Sequence, residues 1–396
     1  MQTTPASATT RLASVDAYRG FVMLLMMGEV LRFCSVAKAL PESGFWQFLC
    51  HHQSHVDWVG CSLHDMIQPS FSFLVGVALP FSLARRIAEG QPLLGRSLHA
   101  FWRAFLLVML GVFLRSIDAG QTYWTFEDTL SQIGLGYGFL YLIAHTSQRA
   151  QWLSLAGILL AYWAAFALYP LPGSGFDWAA AGVSADWPHH SQGFAAHWNK
   201  NTNFAWAFDT WFMNLFPRES PFTHNEGGYS TLSFIPTLGT MILGLIAGTK
   251  LRSASTAQAK VRWLAIVGLA LLASGWALGL SGICPVVKRI WTPSWTLFSG
   301  GWCCLLMAGF YFVIDLAQLR RWSFPLTVVG MNSIAAYCLA HLVEGFLRST
   351  LRTHLGAKFF KLNCGIYAPL CEGAVILLLL WLILFWMYRR KLFLRI

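Results

Sequence analysis

Ala374-Val-Ile-Leu-Leu-Leu-Leu-Trp381-Leu-Ile-Leu-Phe-Trp-Met387 carries no charge and runs into Arg389, Arg390 and Lys391. With the residues before it, the stretch covers positions 366–387, and an α-helix of that length crosses the roughly 30 Å hydrocarbon layer of a bilayer. The same template recurs along the chain at 17–37, 61–83, 101–117, 129–146, 152–170, 231–249, 263–281, 295–314 and 325–345. The composition agrees. The 396 residues are 56% hydrophobic and 11% charged, with mean hydropathy +0.52, whereas a soluble domain carries roughly 25% charged residues. These values exclude a water-soluble globule and a disordered chain, and they predict an all-α, polytopic transmembrane helical bundle of about ten spans. The 15% aromatic content, including 19 Trp, suits the interfacial belts that bracket a membrane.

The net charge of +11 reads as membrane topology and not as a nucleic-acid surface. Arg85-Arg86, Lys250 and Arg252, Arg320-Arg321 and the Arg389 cluster fall on one side of the predicted spans, together with Arg11 and Arg395. That bias places both termini in the cytoplasm. Arg348, Arg352, Lys358 and Lys361 run against it, in a basic loop on the other side. Met1 to Thr10 are polar and have no cleavable leader pattern, so the first apolar helix is expected to act as its own insertion signal. Of the nine Cys, Cys303, Cys304 and Cys338 lie in apolar segments as small hydrophobes. Cys50, Cys284, Cys364 and Cys371 lie near extracytoplasmic ends, where oxidation is permitted and pairing is not readable from sequence.

The chain reads as a single transmembrane domain over 1–396 with one long extracytoplasmic connection at about 170–230. Ordinary connections between helices are far shorter. This one contains Trp178, Trp187, Trp198, Trp206 and Trp211 with His189, His190, His197 and His224. Two readings stand: a lid that stacks on sugar rings, or an interfacial loop anchored by its Trp residues. No strong internal repeat is visible, which weakens a transporter of inverted repeats.

The densest chemistry lies at the entrance to the second span: Cys50-His-His-Gln-Ser-His55-Val-Asp57-Trp58, then His64 and Asp65. Ionisable groups at membrane depth are costly and mark function by default. Three readings compete. His51 and His55 have i, i+4 spacing for a metal, but no tight zinc signature is present. The polar groups alternatively cap the helix and satisfy one another. A His flanked by carboxylates can also act as general base near neutral pH.

Neighbouring motifs favour the last of these. Asp16-Ala-Tyr-Arg19-Gly20, His55-Val-Asp57-Trp58-Val-Gly60 with Asp65, and Phe71-Ser-Phe-Leu-Val-Gly76 resemble the heparan-alpha-glucosaminide N-acetyltransferase family of transmembrane acyltransferases. So do Trp102-Arg103, Leu130-Ser-Gln-Ile-Gly-Leu-Gly-Tyr137, Trp291-Thr-Pro-Ser-Trp295 and Gly330-Met-Asn332-Ser333, in the right order over most of the chain. The resemblance implies an enzyme that takes acetyl from cytoplasmic acetyl-CoA and delivers it to an amino sugar or other saccharide on the far side. It makes His55 the catalytic candidate, as general base or transient acetyl carrier, with Asp57, Asp65 and Glu29 beside it and no metal. It further implies a saccharide or glycolipid partner and self-association as a homodimer, while the short polar N-terminus leads us to expect a bacterial inner membrane location.

The chain also departs from that pattern. Gly28-Glu29-Val30 replaces an Asn-bearing stretch, Gln68-Pro-Ser-Phe71 replaces a more aromatic one, and Leu130-Ser131-Gln132 lacks an Arg. Together these suggest a reshaped acceptor pocket. Glu29 has Arg32 as a local partner at i+3 and, as the functional alternative, His55 or His51 across helices. Asp16 and Arg19 form either a local cap and ion pair or part of a coenzyme A mouth, for which Arg19, Arg86 and Arg103 supply cations to phosphate. Arg86 is equally a topology determinant. Asn332 and Ser333 should bond another span or the thioester pocket. His341 and Glu344 read as an i, i+3 pair or as a second functional His. The rival functions are a transporter, with Glu29, Glu344 and the His cluster as its path, and a metal-dependent hydrolase.

Overall fold

The structure is a computed structural model that describes residues 12–394, so Met1–Thr10, Arg11 and Arg395 lie outside the described residues. It is all helical apart from one isolated bridge, Val59 to Val287, among those residues. Seven stretches are long and apolar enough to cross a membrane: His64–Ala88, Leu93–Arg115, Gln148–Ala167, Thr231–Arg252, Ala257–Leu280, Pro293–Leu316 and Phe359–Arg389. Two further spans are bent. Ala13–Leu31 turns by 42° into Phe33–Ala39, and Arg321–Gly330 turns by 68° into Ser333–Leu342. A shorter apolar helix, Thr129–Ala144, completes the match to the ten predicted stretches. The protein is a multi-pass membrane protein.

The first bend occurs at Arg32, whose φ of +49° lies in the left-handed region and stops the helix. The second occurs at Asn332, whose side chain has left the helix for another partner, described below. At the centre lies Phe234–Arg252, almost wholly buried, crossed by Ile67–Ala88 at van der Waals distance of their backbones. A Cβ on Gly76 would sit 2.0 Å from the Met241 carbonyl oxygen, and one on Gly244 2.0 Å from that of Phe73. Lipid supplies no hydrophobic drive for helix pairing, so such close contact of small residues is what holds the crossing.

The connection over 170–230 is folded against the bundle. Its Trp198 is fully buried with Trp58, Phe166 and Tyr162, and the Trp58 Nε1–H donates to the Trp198 carbonyl at 3.0 Å. Trp198 therefore serves as an anchor and has no face left for a sugar, while Trp211 is exposed. Two of the four basic residues that ran against the topology are neutralised. Arg348 pairs with Glu344 at 2.7 Å and Glu372 at 2.9 Å, and Arg352 with Glu372 at 2.7 Å.

Candidate functional site

The residues that follow the helix Gly44–Gln53 form a tight loop before the second span. Gln53 binds that helix to the first span, its Nε2 donating to the Gly28 carbonyl and its Oε1 accepting from the Phe33 N–H, both at 2.7 Å. A disulfide joins Cys34 to Cys50 across the same two segments. Gly60 then turns the chain at φ +125°, open only to glycine without strain. Its N–H donates to the Val286 carbonyl, and Val59 bridges Val287. This pairing lays Lys288 beside His55.

At the centre stands Asp65, 1% exposed. Its Oδ1 lies 2.7 Å from His55 Nδ1 and 3.3 Å from Lys288 Nζ, and its Oδ2 accepts from the backbone N–H of Ser62 at 3.0 Å and of Val56 at 3.3 Å. A buried carboxylate and ammonium repay their desolvation only when bonded this fully. Both Asp65 Oδ1, at 2.7 Å, and Lys288 Nζ, at 3.1 Å, approach His55 Nδ1; a carboxylate only accepts, so the shorter contact favours the His55 proton on Nδ1, with Lys288 donating to Asp65 and the Nε2 lone pair left available. Burial lowers the His55 pKa below its ordinary value, the Asp65 hydrogen bond opposes this, and the Lys288 charge adds to the lowering. The balance of these effects favours the neutral form of His55. Burial likewise lowers the pKa of Lys288.

The His64 ring lies tilted against that of His55, centroids 4.5 Å apart, and its Nε2 is 3.1 Å from Glu29 Oε1. Glu29 therefore pairs with His64, and neither with Arg32 nor with His55 or His51. His64 wins because the first span's helix tightens into a short 3-10 turn at Gly28–Leu31, ahead of the left-handed Arg32. Asp57 corrects the sequence reading more sharply. Its side chain is 73% exposed and pairs at 3.3 Å with His189 of the long connection, so the acid beside His55 is Asp65. Among the described residues, no group of three or more His, Cys, Asp or Glu has the arrangement of a metal site.

His55, His64, Glu29 and Lys288 line a cavity of about 320 Å³, together with Glu127, Asp128, Tyr229, His341 and Glu344. His341 and Glu344 do not pair with each other. His341 Nδ1 is 2.9 Å from the Tyr337 carbonyl, and Glu344 holds Arg348.

A second cavity, about 460 Å³, lies further along Ile67–Ala88, toward the end that carries Arg85 and Arg86. Arg19, Arg86, Arg103 and Ser333 all line it, as do Arg85, Arg96 and His99. Arg19 pairs with Asp16 at 3.6 Å. Arg86 reaches Gln91 at 3.0 Å and His99 at 2.6 Å. Arg103 donates to the Tyr137 hydroxyl at 3.1 Å and lies over that ring. Asn332 is absent from the lining. It is 1% exposed and clamps the C-terminal segment, donating to the Leu392 carbonyl at 2.6 Å and accepting from the Leu394 N–H at 3.0 Å. Phe71 is common to the walls of both cavities.

Lys288, Asp128 and Arg96 were missed in the sequence. Lys288 had a signal, a lysine in the apolar Cys284-Pro-Val-Val-Lys288 run just before Trp291-Thr-Pro-Ser-Trp295. No family model matches the chain. Across 98% of its length it is 24% identical to the heparan-alpha-glucosaminide N-acetyltransferase of Homo sapiens, and across 87% it is 22% identical to that of Mus musculus. The matched regions are 60% and 55% of those relatives' lengths, so the chain spans little more than half of either. Distantly, but along most of its length, the chain is similar to heparan-alpha-glucosaminide N-acetyltransferases.

Proposed function

We propose that the protein is a transmembrane acyltransferase that moves an acetyl or other short acyl group from cytoplasmic acetyl-CoA to an amino sugar or other saccharide acceptor on the periplasmic side of a bacterial inner membrane. The observation that carries this reading is the shared wall. An arginine-lined cavity and a histidine-carboxylate cavity, set toward opposite ends of one spanning helix, meet at Phe71. Five arginines suit the phosphates of coenzyme A. The disulfide between Cys34 and Cys50 at the His55 end supports placing that end in an oxidising compartment.

In this scheme His55 Nε2 takes the proton of the acceptor amine or hydroxyl as its nitrogen or oxygen bonds to the acyl carbon. The carbon–sulfur bond breaks, and the proton passes to the departing thiolate. His55 as transient acyl carrier gives the same products in two steps. Asp65 fixes the tautomer and stabilises the imidazolium as it forms. Phe71 and the apolar residues around it keep water from the thioester.

The test uses detergent-purified protein, with acetyl-CoA binding and transfer of labelled acetyl to glucosamine measured on wild type and His55→Ala. Binding by both and transfer by wild type alone is expected. Absence of acetyl-CoA binding in both would overturn the proposal in favour of a transporter.

A further inference from the structure

Arg289, the neighbour of Lys288, ties the His55 loop to a second segment of the same cavity wall. Its Nη2 donates to the Val56 carbonyl at 3.2 Å and its Nη1 to the Gly227 carbonyl at 2.7 Å, and its guanidinium lies over the Tyr229 ring, 5.2 Å from the centroid. One cation thus fixes Tyr229 relative to His55. Gly227 makes the room for that ring, since a Cβ there would lie 2.6 Å from Tyr229 Cδ2 and 2.7 Å from Cε2. The Tyr229 N–H donates to Asn225 Oδ1 at 3.1 Å and holds the backbone.

Tyr229 lines the cavity that holds His55. Its hydroxyl has no hydrogen-bond partner among the described residues, and it is not one of the side-chain atoms sealed from solvent. The charges that act on it are those of Arg289, Asp65, Arg115 and Glu127, which sets the hydroxyl between the carboxylate that holds His55 and two groups of the cavity wall. Burial pushes its pKa up and the Arg289 charge opposes this, so the O–H keeps its proton at neutral pH and serves as a donor. Arg115 and Gln68 also line the cavity, but no hydrogen bond fixes either side chain among the described residues.

Acyl transfer needs such a donor. As the acceptor bonds to the acyl carbon, negative charge develops on the acyl oxygen, and a donor already held in place for that oxygen lowers the barrier without reorganising. We propose that Tyr229 is a second catalytic residue, its hydroxyl donating a hydrogen bond to the acyl oxygen while His55 Nε2 takes the proton of the acceptor. The carbonyl double bond re-forms as the carbon–sulfur bond breaks, the proton on His55 passes to the thiolate, and Tyr229 keeps its own proton throughout. The same hydrogen bond serves if His55 itself carries the acyl group, because that route passes through the same oxyanion. The inference deepens the proposed acyltransferase function and rests on it.

Tyr229→Phe removes the hydroxyl and leaves the ring under Arg289. Acetyl-CoA binding, glucosamine binding and transfer of labelled acetyl are measured on the detergent-purified full chain, with rates expressed per acetyl-CoA bound so that misfolded protein does not count. Loss of one oxyanion donor should lower transfer at saturating acetyl-CoA and glucosamine by about 10²- to 10³-fold, with both dissociation constants within about twofold of wild type. The acid limb of the pH–rate profile, which belongs to His55, should keep its position. A saturated rate close to wild type, a loss that excess glucosamine rescues, or a displaced acid limb overturns the inference while the acyltransferase reading stands. Absence of acetyl transfer by wild type overturns both.

Discussion

The two cavities share Phe71 and have opposite chemistry. On the His55 side four carboxylates, from Glu29, Glu127, Asp128 and Glu344, face three histidines and two cations. On the other side five arginines face a single carboxylate, that of Asp16. The difference extends to how the charges are satisfied. Asp65 is saturated by His55, Lys288 and two backbone N–H groups, so its whole capacity goes into fixing one imidazole. Arg96 keeps its Nε and Nη1, and Arg103 its Nε, buried without a partner. One side is built to hold a proton acceptor in a single orientation. The other gathers guanidinium groups, some of whose N–H donors have no hydrogen-bond partner among the described residues.

Two substitutions break this division in opposite ways, and the larger effect falls on the His55 side. Asp65→Asn keeps the shape but removes the charge that selects the His55 tautomer, and comparable losses in acid–base sites reach about 10⁴-fold in turnover. Transfer of labelled acetyl should fall by about 10³- to 10⁴-fold while the acetyl-CoA dissociation constant stays within about twofold of wild type. A fall of less than tenfold would show that Asp65 does not position the reacting group. Arg96→Gln and Arg103→Gln act on the other side. Each removes one charge-assisted contact to phosphate, so acetyl-CoA should bind about tenfold more weakly, and the wild-type affinity should decline as salt rises. At saturating acetyl-CoA their transfer rates should match wild type. A rate loss that saturation does not rescue would move these arginines out of binding and into the chemistry.

The same comparison shows what was legible in the sequence. Spans and their order were readable because apolar length is imposed by the bilayer thickness and needs no knowledge of neighbours. The arginines of the second cavity were readable for a similar reason, since Arg19, Arg86 and Arg103 stand out against apolar surroundings and their cavity lies between nearby helix ends. The His55 side was legible only in part. His55 and Asp65 came from their spacing and motif, yet Asp57, two residues from His55, turns to His189, a partner 132 positions away along the chain. Lys288 reaches His55 through the bridge of Val59 to Val287, a pairing that no local pattern announces. Asn332 looked like a pocket residue because it is polar within an apolar helix, and its partners lie in the C-terminal segment. Burial and long-range pairing, which decide each of these cases, are properties of the packed chain.

Lys288 gives the smallest and most discriminating effect. Its ammonium lies 3.1 Å from His55 Nδ1 and 3.3 Å from Asp65 Oδ1, and its charge helps hold the His55 pKa below its usual value. A neutral imidazole is the active form of a general base, so transfer should decline as pH falls through the His55 pKa. Replacement of Lys288 by Met removes the positive charge and leaves Asp65 facing His55 alone. Both changes favour the imidazolium, so the His55 pKa rises and the acid limb of the pH–rate profile moves to higher pH, by about one unit or less. The limb is read from relative rates, so a lower yield of folded variant does not obscure it. Lys288→Arg, which restores the charge, should return the limb toward its wild-type position. A limb that stays in place in Lys288→Met, or moves to lower pH, would mean that Lys288 braces the loop and leaves the proton affinity of His55 to burial and Asp65.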